Sequence, residues 1–183
     1  MRNKLFLIDF PLFGFWRFIF LAALFYGCVI QAQEAHVHLS LSPAGSFVGK
    51  TQEVQGEVET SDGGYSARNI VVQLKNLKTG IKLRDQHTQD YLETSKYPEA
   101  LLIQAEGRGG KGSGELKIRG LIQKIEGTYT IDEKFLRAEF PISLEKFNIR
   151  GIRYAGVGVK DKALIKVVVP IKNKMARPNS KKD

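Results

Sequence analysis

Apolar and polar residues alternate with a period of two from His36 to Ile171. In the first such segment Val37, Leu39 and Leu41 share one face, and polar residues fill the other. This period is typical of half-buried strands, because successive side chains of a strand point to opposite faces. Turn sequences rich in Gly, Ser and Asp separate the segments and predict about eight short strands. The further alternating segments are 54–58, 70–74, 114–120, 125–131, 136–144 and 163–171.

Residues 84–95 interrupt this pattern, and their few apolar residues are Tyr91 and Leu92. Strands with a single apolar face fit either an up-and-down barrel or a sandwich of two sheets. So polar a segment suits a short helical cap over one barrel end better than a helix of the core. We therefore predict an all-β antiparallel barrel with a short helical lid segment.

The N-terminal region has a different composition, with basic residues followed by an apolar run over residues 18–30. This run is shorter than the about 20 apolar residues that a transmembrane helix needs. Residues 1–32 are therefore predicted to be a signal peptide that is cleaved after Ala32. An uncleaved membrane anchor and lipidation at Cys28 are the alternatives. We expect a periplasmic or secreted protein whose mature part has no cysteine to form a disulfide.

The chain is basic, with a formal net charge of +9. Much of the positive charge after the signal peptide lies in residues 173–183, which predict a flexible basic tail. Residues 33–172 are predicted to form one domain, long enough to bury a core of its own. Nucleic acid is not an expected partner of an exported protein, whereas weak contact with anionic lipid headgroups is expected.

The sequence RDQH brings Arg84, Asp85 and His87 together at the start of the lid segment. Histidine titrates near neutral pH and acts as an acid or base in many enzymes, but the surrounding sequence offers no nucleophile. In the structural alternative, Asp85 caps the helix and pairs with Arg84 or His87. We predict a clasp that fixes the lid, and no catalytic residue.

Several short motifs follow one another in a characteristic order. An Arg-Asp-x-His element precedes an aromatic residue in a short helix, and a Tyr-Pro pair then opens a strand. A Gly-x-Leu-x-Ile-x-Gly strand comes next, and an aspartate precedes the last strand. In this order the motifs resemble the YceI-like family of periplasmic lipid-binding proteins, over residues 36–171. The residues that carry the resemblance are Arg84, Asp85, His87, Tyr91, Tyr97, Pro98, Gly114, Leu116, Ile118, Gly120 and Asp161.

The resemblance implies an eight-stranded lipocalin-like antiparallel barrel that holds a polyisoprenoid chain and catalyses nothing. An isoprenoid or a quinone-like lipid would be the bound molecule, with no other cofactor. The interior of an eight-stranded barrel is either filled by side chains or wide enough for one narrow ligand, and the sequence leaves both open. The residues predicted to line the barrel and its mouth are Leu74, Arg84, His87, Tyr91, Tyr129, Ile131, Ala138, Phe140, Ile142, Ile165 and Val167.

Three other patterns have plain interpretations. His36 and His38 share a strand face without a cysteine or a carboxylate cluster, so we predict no metal site there. The sequence GRGGKGSG at residues 107–114 lacks the order of a phosphate-binding loop and predicts a flexible hairpin. Residues 146–160 contain three glycines and predict a long mobile connection.

Two other functions remain open at this point. An enzyme could act on an isoprenoid headgroup through Asp85 and His87, with a turnover that disappears in His87→Ala. A filled barrel could instead act through its surface as a partner or stress protein, and it would yield no extractable lipid.

Overall fold

The alternating segments form strands of one sheet in a computed structural model that describes residues 33–154 and 156–172. The predicted signal peptide, Cys28 and the basic tail lie outside the described residues. Val, Ile, Leu, Phe and Tyr recur along the strands, because branched and aromatic side chains pack well on a pleated surface. The first strands are β1 Glu34–Ser42, β2 Ser46–Thr51, β3 Val54–Gln55, β4 Val58–Ser61 and β5 Gly64–Gln73. Helix α1 Lys82–Leu92 precedes β6 Glu99–Arg108, β7 Lys111–Ile118, β8 Leu121–Asp132, β9 Phe135–Ser143, β10 Arg153–Tyr154 and β11 Val157–Lys172.

Seven of these strands close into a barrel. Strands β4 to β9 pair antiparallel in chain order, and β9 pairs antiparallel with β11 over Lys162–Pro170. The ring closes where Ile171 and Lys172 of β11 run parallel to Val58 and Glu59 of β4. The predicted all-β barrel class is confirmed.

The ring has seven strands rather than the predicted eight, because β1 and β4 share one edge of β11. Strand β1 occupies that edge from Gly158 to Val168, and β4 takes it only at Ile171 and Lys172. A strand edge pairs with one neighbour at a time, so β1 and its hairpin partner β2 extend the sheet outside the ring. The pairing between β4 and β11 is parallel, whereas the sequence predicted antiparallel neighbours throughout.

The barrel interior contains two clusters of buried apolar residues. One lies beneath α1 and includes Leu74, Ile142 and Phe147. The other lies further along the barrel and includes Val58 and Val169. Val72 and Leu102 pack against both clusters, so the two form a continuous apolar interior. The burial of this surface is the main force that stabilises the barrel.

Helix α1 covers one end of the barrel and has no fully buried residue. It starts after Ile81 and ends at Glu93, whose backbone is left-handed with φ 51°. A polar helix without a buried face acts as a cover and not as part of the core, which confirms the predicted lid. Among the described helices, none is long and apolar enough to cross a bilayer.

The predicted mobile connection at residues 146–160 is wrong for its first part. A 3₁₀ turn at Glu145–Phe147 buries Phe147 to 1% exposure, and Ile149 is 4% exposed. The later part forms a hairpin in which Arg153 pairs with Gly158. Buried apolar side chains anchor a loop regardless of its glycines, so the connection is fixed at its start. The hairpin predicted from GRGGKGSG is confirmed as the β6–β7 turn.

Candidate functional site

A cavity of about 310 Å³ lies beneath α1, and we call it the lid chamber. Its walls come from β1, β2, β9 and β11, from the segment after β9, and from one side of α1. Most of these side chains are apolar, among them Leu39, Phe47, Ile142 and Ile165. The volume is at the lower end of the range for small-molecule pockets, which are typically ~300–1,000 Å³.

The polar part of the lid chamber is concentrated under the helix and at the adjacent hairpin. Arg84, His87, Thr88 and Tyr91 project from α1, and Arg153 lies on β10. Among the described lining residues there are two arginines and no carboxylate. Such a wall suits a ligand head that accepts hydrogen bonds or carries negative charge.

Thr79, just before α1, is the centre of the contacts that fix the start of the lid. Its backbone N–H and its hydroxyl both donate to Oδ1 of Asp85, each at 2.6 Å. Nη2 of Arg84 donates to the Thr79 carbonyl oxygen at 2.8 Å. Burial disfavours the ionised Asp85, but the hydrogen bonds from Thr79 outweigh it and hold the pKa of this carboxyl below its ordinary value.

The predicted clasp is therefore present with different partners. Ile81 occupies the N-cap position without a side-chain hydrogen bond, so the prediction that Asp85 caps the helix is wrong. Asp85 lies inside the first turn and binds Thr79, a residue that no sequence motif had indicated. Arg84 additionally lies over the ring of Phe47, with its guanidinium carbon 4.5 Å from the ring centroid.

The far end of the lid is held by two other contacts. The Tyr91 hydroxyl donates to the Gly151 carbonyl oxygen at 3.3 Å and accepts from the Arg153 N–H at 3.4 Å. Arg119, in the β7–β8 turn, donates to the Glu93 carboxylate and to the Asn148 carbonyl oxygen. These contacts tie the end of α1 to the segment after β9, which forms one wall of the lid chamber.

A second, narrower cavity of about 100 Å³ continues the interior, and we call it the far chamber. Its inward side chains are largely apolar and include Ile70, Leu102 and Val169, with Tyr65 and Tyr129 at one end. Glycines at positions 107, 112 and 127 form part of its wall. The barrel is therefore hollow at the lid end and more nearly filled beyond it.

The two chambers follow one another along the barrel. On β9, Leu136, Ala138 and Phe140 line the far chamber, and Ile142, further along the same strand, lines the lid chamber. Phe140 of the far chamber pairs across the sheet with Ile165 of the lid chamber. From Leu136 to Ile142 the strand advances about 20 Å, at about 3.3 Å per residue. The combined interior is thus long and narrow, the shape of an extended hydrocarbon chain.

The structure places ten of the eleven predicted lining residues against these chambers. Ile131 is the exception, because it is 41% exposed and faces an open depression beyond Tyr129. Ile131 lies on the same face of β8 as Tyr129, which lines the far chamber. The strand, however, continues past the end of the enclosed interior. The lid chamber contains Leu74, Arg84, His87, Tyr91, Ile142 and Ile165, and the far chamber contains Tyr129, Ala138, Phe140 and Val167.

Sequence reasoning missed several lining residues. Phe47 and Tyr65 lie on alternating strands and were accessible from the period-two pattern. Ile149 and Ile152 lie between the 3₁₀ turn at Glu145–Phe147 and β10, where no regular period marks the inward face. Ile149 and Ile152 reach the lid chamber only because the segment after β9 folds back against the barrel.

His36 and His38 lie on the outer face of β1, with ring centroids 6.3 Å apart. Nε2 of His36 lies 3.1 Å from the Glu34 carboxylate. Burial, followed by the charge of Lys166, lowers the pKa of His38. Within residues 33–154 and 156–172, no three His, Cys, Asp or Glu side chains come together in an arrangement that could hold a metal ion.

Asp161, the aspartate of the family pattern, supports the turn that follows β9. Its Oδ1 accepts from the Glu145 N–H at 2.8 Å and from the Ser143 hydroxyl at 3.1 Å. The bond from Glu145, the larger influence, and that from Ser143 hold the pKa of Asp161 below its ordinary value, although burial opposes them. Asp161 thereby fixes the start of the segment that forms one wall of the lid chamber.

We expect Asp161→Asn to reduce stability by about 1 kcal/mol at neutral pH, because Asn keeps the acceptor oxygen but loses the charge. A lowered folded-state pKa contributes stability above the unfolded value of about 3.9, and this is lost as pH falls through the folded pKa. The difference in stability between variant and wild type, measured by urea unfolding, should therefore shrink progressively as the pH falls below the unfolded value of about 3.9. Asp62→Asn, at an exposed position, is the control. An equal loss of stability in Asp161→Asn at neutral and at acid pH would contradict the prediction.

A closed β-barrel with an apolar interior under a polar helical lid defines a ligand-binding barrel by its architecture. A model of the YceI-like domain matches residues 29–171, so the chain belongs to the YceI-like family. The predicted family resemblance is confirmed.

Solved structures are similar in fold at low identity. BcnA of Burkholderia cenocepacia has a TM-score of 0.58 at 16% identity, over 74% of this chain and 94% of that one. A polyisoprenoid binding domain from Saccharophagus degradans, implicated in plant cell wall breakdown, has a TM-score of 0.49 at 13% identity, over 74% and 91%. The Campylobacter jejuni YceI protein has a TM-score of 0.48 at 16% identity, over 68% and 85%. No curated protein matches the chain.

Proposed function

We propose that this protein carries or sequesters a polyisoprenoid, or a similar long-chain amphiphile, inside its barrel. The observation that carries the proposal is the pair of consecutive apolar chambers, which together form a long interior beneath the lid. Each methylene that enters such an interior contributes about 0.8 kcal/mol. A neutral hydrogen bond to the head contributes about 0.5–1.5 kcal/mol, so the chain dominates affinity.

The ligand head belongs beneath α1, where the polar residues of the lid chamber lie. Arg84 and Arg153 favour a head that accepts hydrogen bonds, such as a phosphate or the carbonyl groups of a quinone-like lipid. The chain end then extends past Phe140 into the far chamber. This orientation leaves the charged or polar end of the ligand closest to α1 and to solvent.

We infer binding without catalysis, because the acid–base candidates do not share one cavity. His87 lines the lid chamber, whereas Asp85 is absent from its described lining and accepts two hydrogen bonds from Thr79. A carboxylate held in this way supports the lid. The filled-barrel alternative is disfavoured by the lid chamber, whose volume of about 310 Å³ is not occupied by side chains.

Native mass spectrometry of the exported protein, purified without detergent, tests this function directly. Solvent extraction then identifies any bound molecule. One long isoprenoid at near one-to-one occupancy is the expected result. An empty protein that also fails to take up added isoprenoids would overturn the proposal and direct attention to the barrel surface.

We infer that the protein is exported to the periplasm or secreted after cleavage behind Ala32. The apolar run before this position and the family membership support the inference. N-terminal sequencing of the protein from fractionated cells tests it. A mature N-terminus at Gln33 is expected, whereas an intact N-terminus in the membrane fraction would indicate the uncleaved anchor.

We further infer a weak contact between the lid and an anionic membrane during loading. Ile81 and Leu83 flank Lys82 at the start of α1 and are 54% and 46% exposed. Apolar side chains beside a cation suit the boundary between headgroups and acyl chains. This exposed pair lies on the element that covers the lid chamber, where a lipid would enter.

The double variant Ile81→Asp/Leu83→Asp should bind anionic vesicles about tenfold more weakly. Two apolar contacts are lost, and two negative charges are added that the anionic headgroups repel. Vesicle sedimentation measures the change. Ile131→Asp is the control, because Ile131 is also exposed but lies at the end of the barrel opposite the lid. Equal binding by both variants would contradict a contact through the lid.

A further inference from the structure

Two tyrosines close the far chamber at the end opposite the lid. The rings of Tyr65 and Tyr129 meet edge to face, with centroids 5.6 Å apart and an angle of 75° between their planes. Both residues line the far chamber, and both also line an open depression on its other side. That depression includes Gly109 and Gly110 of the β6–β7 turn. The ring pair is therefore the layer that separates the enclosed apolar interior from the surface.

Gly107 makes room for this layer. It lies directly across from Tyr65 in the β5–β6 pairing. A Cβ atom at Gly107 would lie only 2.6 Å from Cε1 of Tyr129, so any other residue would push against this ring. A glycine within a strand often marks such a close approach. The GRGGKGSG sequence, which predicted only a hairpin, thus also provides the surface on which the Tyr129 ring rests.

We propose that Tyr65 and Tyr129 form a floor that sets the length of hydrocarbon chain the barrel encloses. This inference rests on the proposed function. While a chain still extends towards the floor, each additional buried methylene raises affinity about fourfold. Once the chain end meets the two rings, further units remain outside the interior and add little. Affinity therefore rises with chain length and then levels off.

The experiment measures the dissociation constants of geraniol, farnesol, geranylgeraniol and solanesol by native mass spectrometry. In the wild type, affinity should rise along the series and reach a plateau. Tyr129→Ala opens the floor into the surface depression, so its plateau should move to longer chains. The ratio of solanesol affinity to geranylgeraniol affinity should increase about tenfold, the equivalent of fewer than two additional buried methylenes. Tyr129→Phe keeps the ring and should retain the wild-type profile.

Tyr65→Ala removes the other half of the floor and provides the same test if Tyr129→Ala does not fold. A wild-type plateau that stays at the same chain length in a folded alanine variant would overturn the floor. Loss of affinity for every prenol to the same degree would also overturn it, because a purely structural role lowers binding without changing the length profile. Failure of the wild type to bind any prenol would instead contradict the proposed function.

Discussion

Replacement of Phe140 by arginine is expected to weaken isoprenoid binding at least about hundredfold. Phe140 lines the far chamber and pairs with Ile165 at the point where the two chambers meet. A guanidinium at this position enters an apolar passage and keeps its charge, because the pKa of arginine is too high for neutralisation. A hydrocarbon chain would have to displace the water around this charge to pass into the far chamber.

The binding measurement is the lipid content of the exported protein by native mass spectrometry, followed by uptake of added geranylgeraniol. Circular dichroism checks that the variant retains its strands. Phe140→Leu keeps an apolar, uncharged side chain and should remain loaded. A folded Phe140→Arg protein with full lipid occupancy would show that the chain does not pass between the two chambers.

Replacement of Phe147 by alanine is expected to reduce the free energy of unfolding by about 3–5 kcal/mol. Phe147 is 1% exposed and belongs to the cluster of buried residues beneath the lid. Removal of the ring loses its transfer free energy and leaves a cavity that a closed barrel does not easily fill. The loss is a large fraction of the about 5–15 kcal/mol that stabilises a typical domain.

Urea unfolding of the variant and the wild type measures this change. Ile122→Ala is a suitable control, because this side chain is 53% exposed and its removal should change stability by less than about 0.5 kcal/mol. Isoprenoid affinity should also fall in Phe147→Ala, since Ile149 of the same segment lines the lid chamber. A loss of less than about 1 kcal/mol would contradict the role of Phe147 as the anchor of this segment.

Strand periodicity was sufficient to predict most of the lining, because the side chains of a strand alternate strictly between its two faces. Ala138, Phe140 and Ile142 follow this rule on β9, and Ile165 and Val167 follow it on β11. Periodicity does not define where an enclosed interior ends. Ile131 has the same phase as Tyr129, yet it lies beyond the tyrosine layer and faces the open depression.

The alternation of apolar and polar residues does not predict contacts between distant segments. No sequence motif indicated a role for Thr79, because its hydrogen bonds with Asp85 and Arg84 depend on the path of the chain into α1. Arg119 joins Glu93 to Asn148 only because the β7–β8 turn lies beside the end of the lid. Residues 146–149 appeared mobile from their composition, but Phe147 and Ile149 pack into the barrel.

The order of residues along the chain was enough to predict the all-β class, the position of the lid, the family and most inward residues. These properties follow from local alternation and from motifs that keep their order along the chain. The seven-stranded ring, the two chambers and the tyrosine layer between the far chamber and the surface became visible only in the folded protein. Strand closure depends on which neighbour occupies each stretch of the β11 edge, and an empty volume depends on how side chains from distant strands meet. Both are properties of packing among residues far apart in sequence, which a pattern along one strand does not contain.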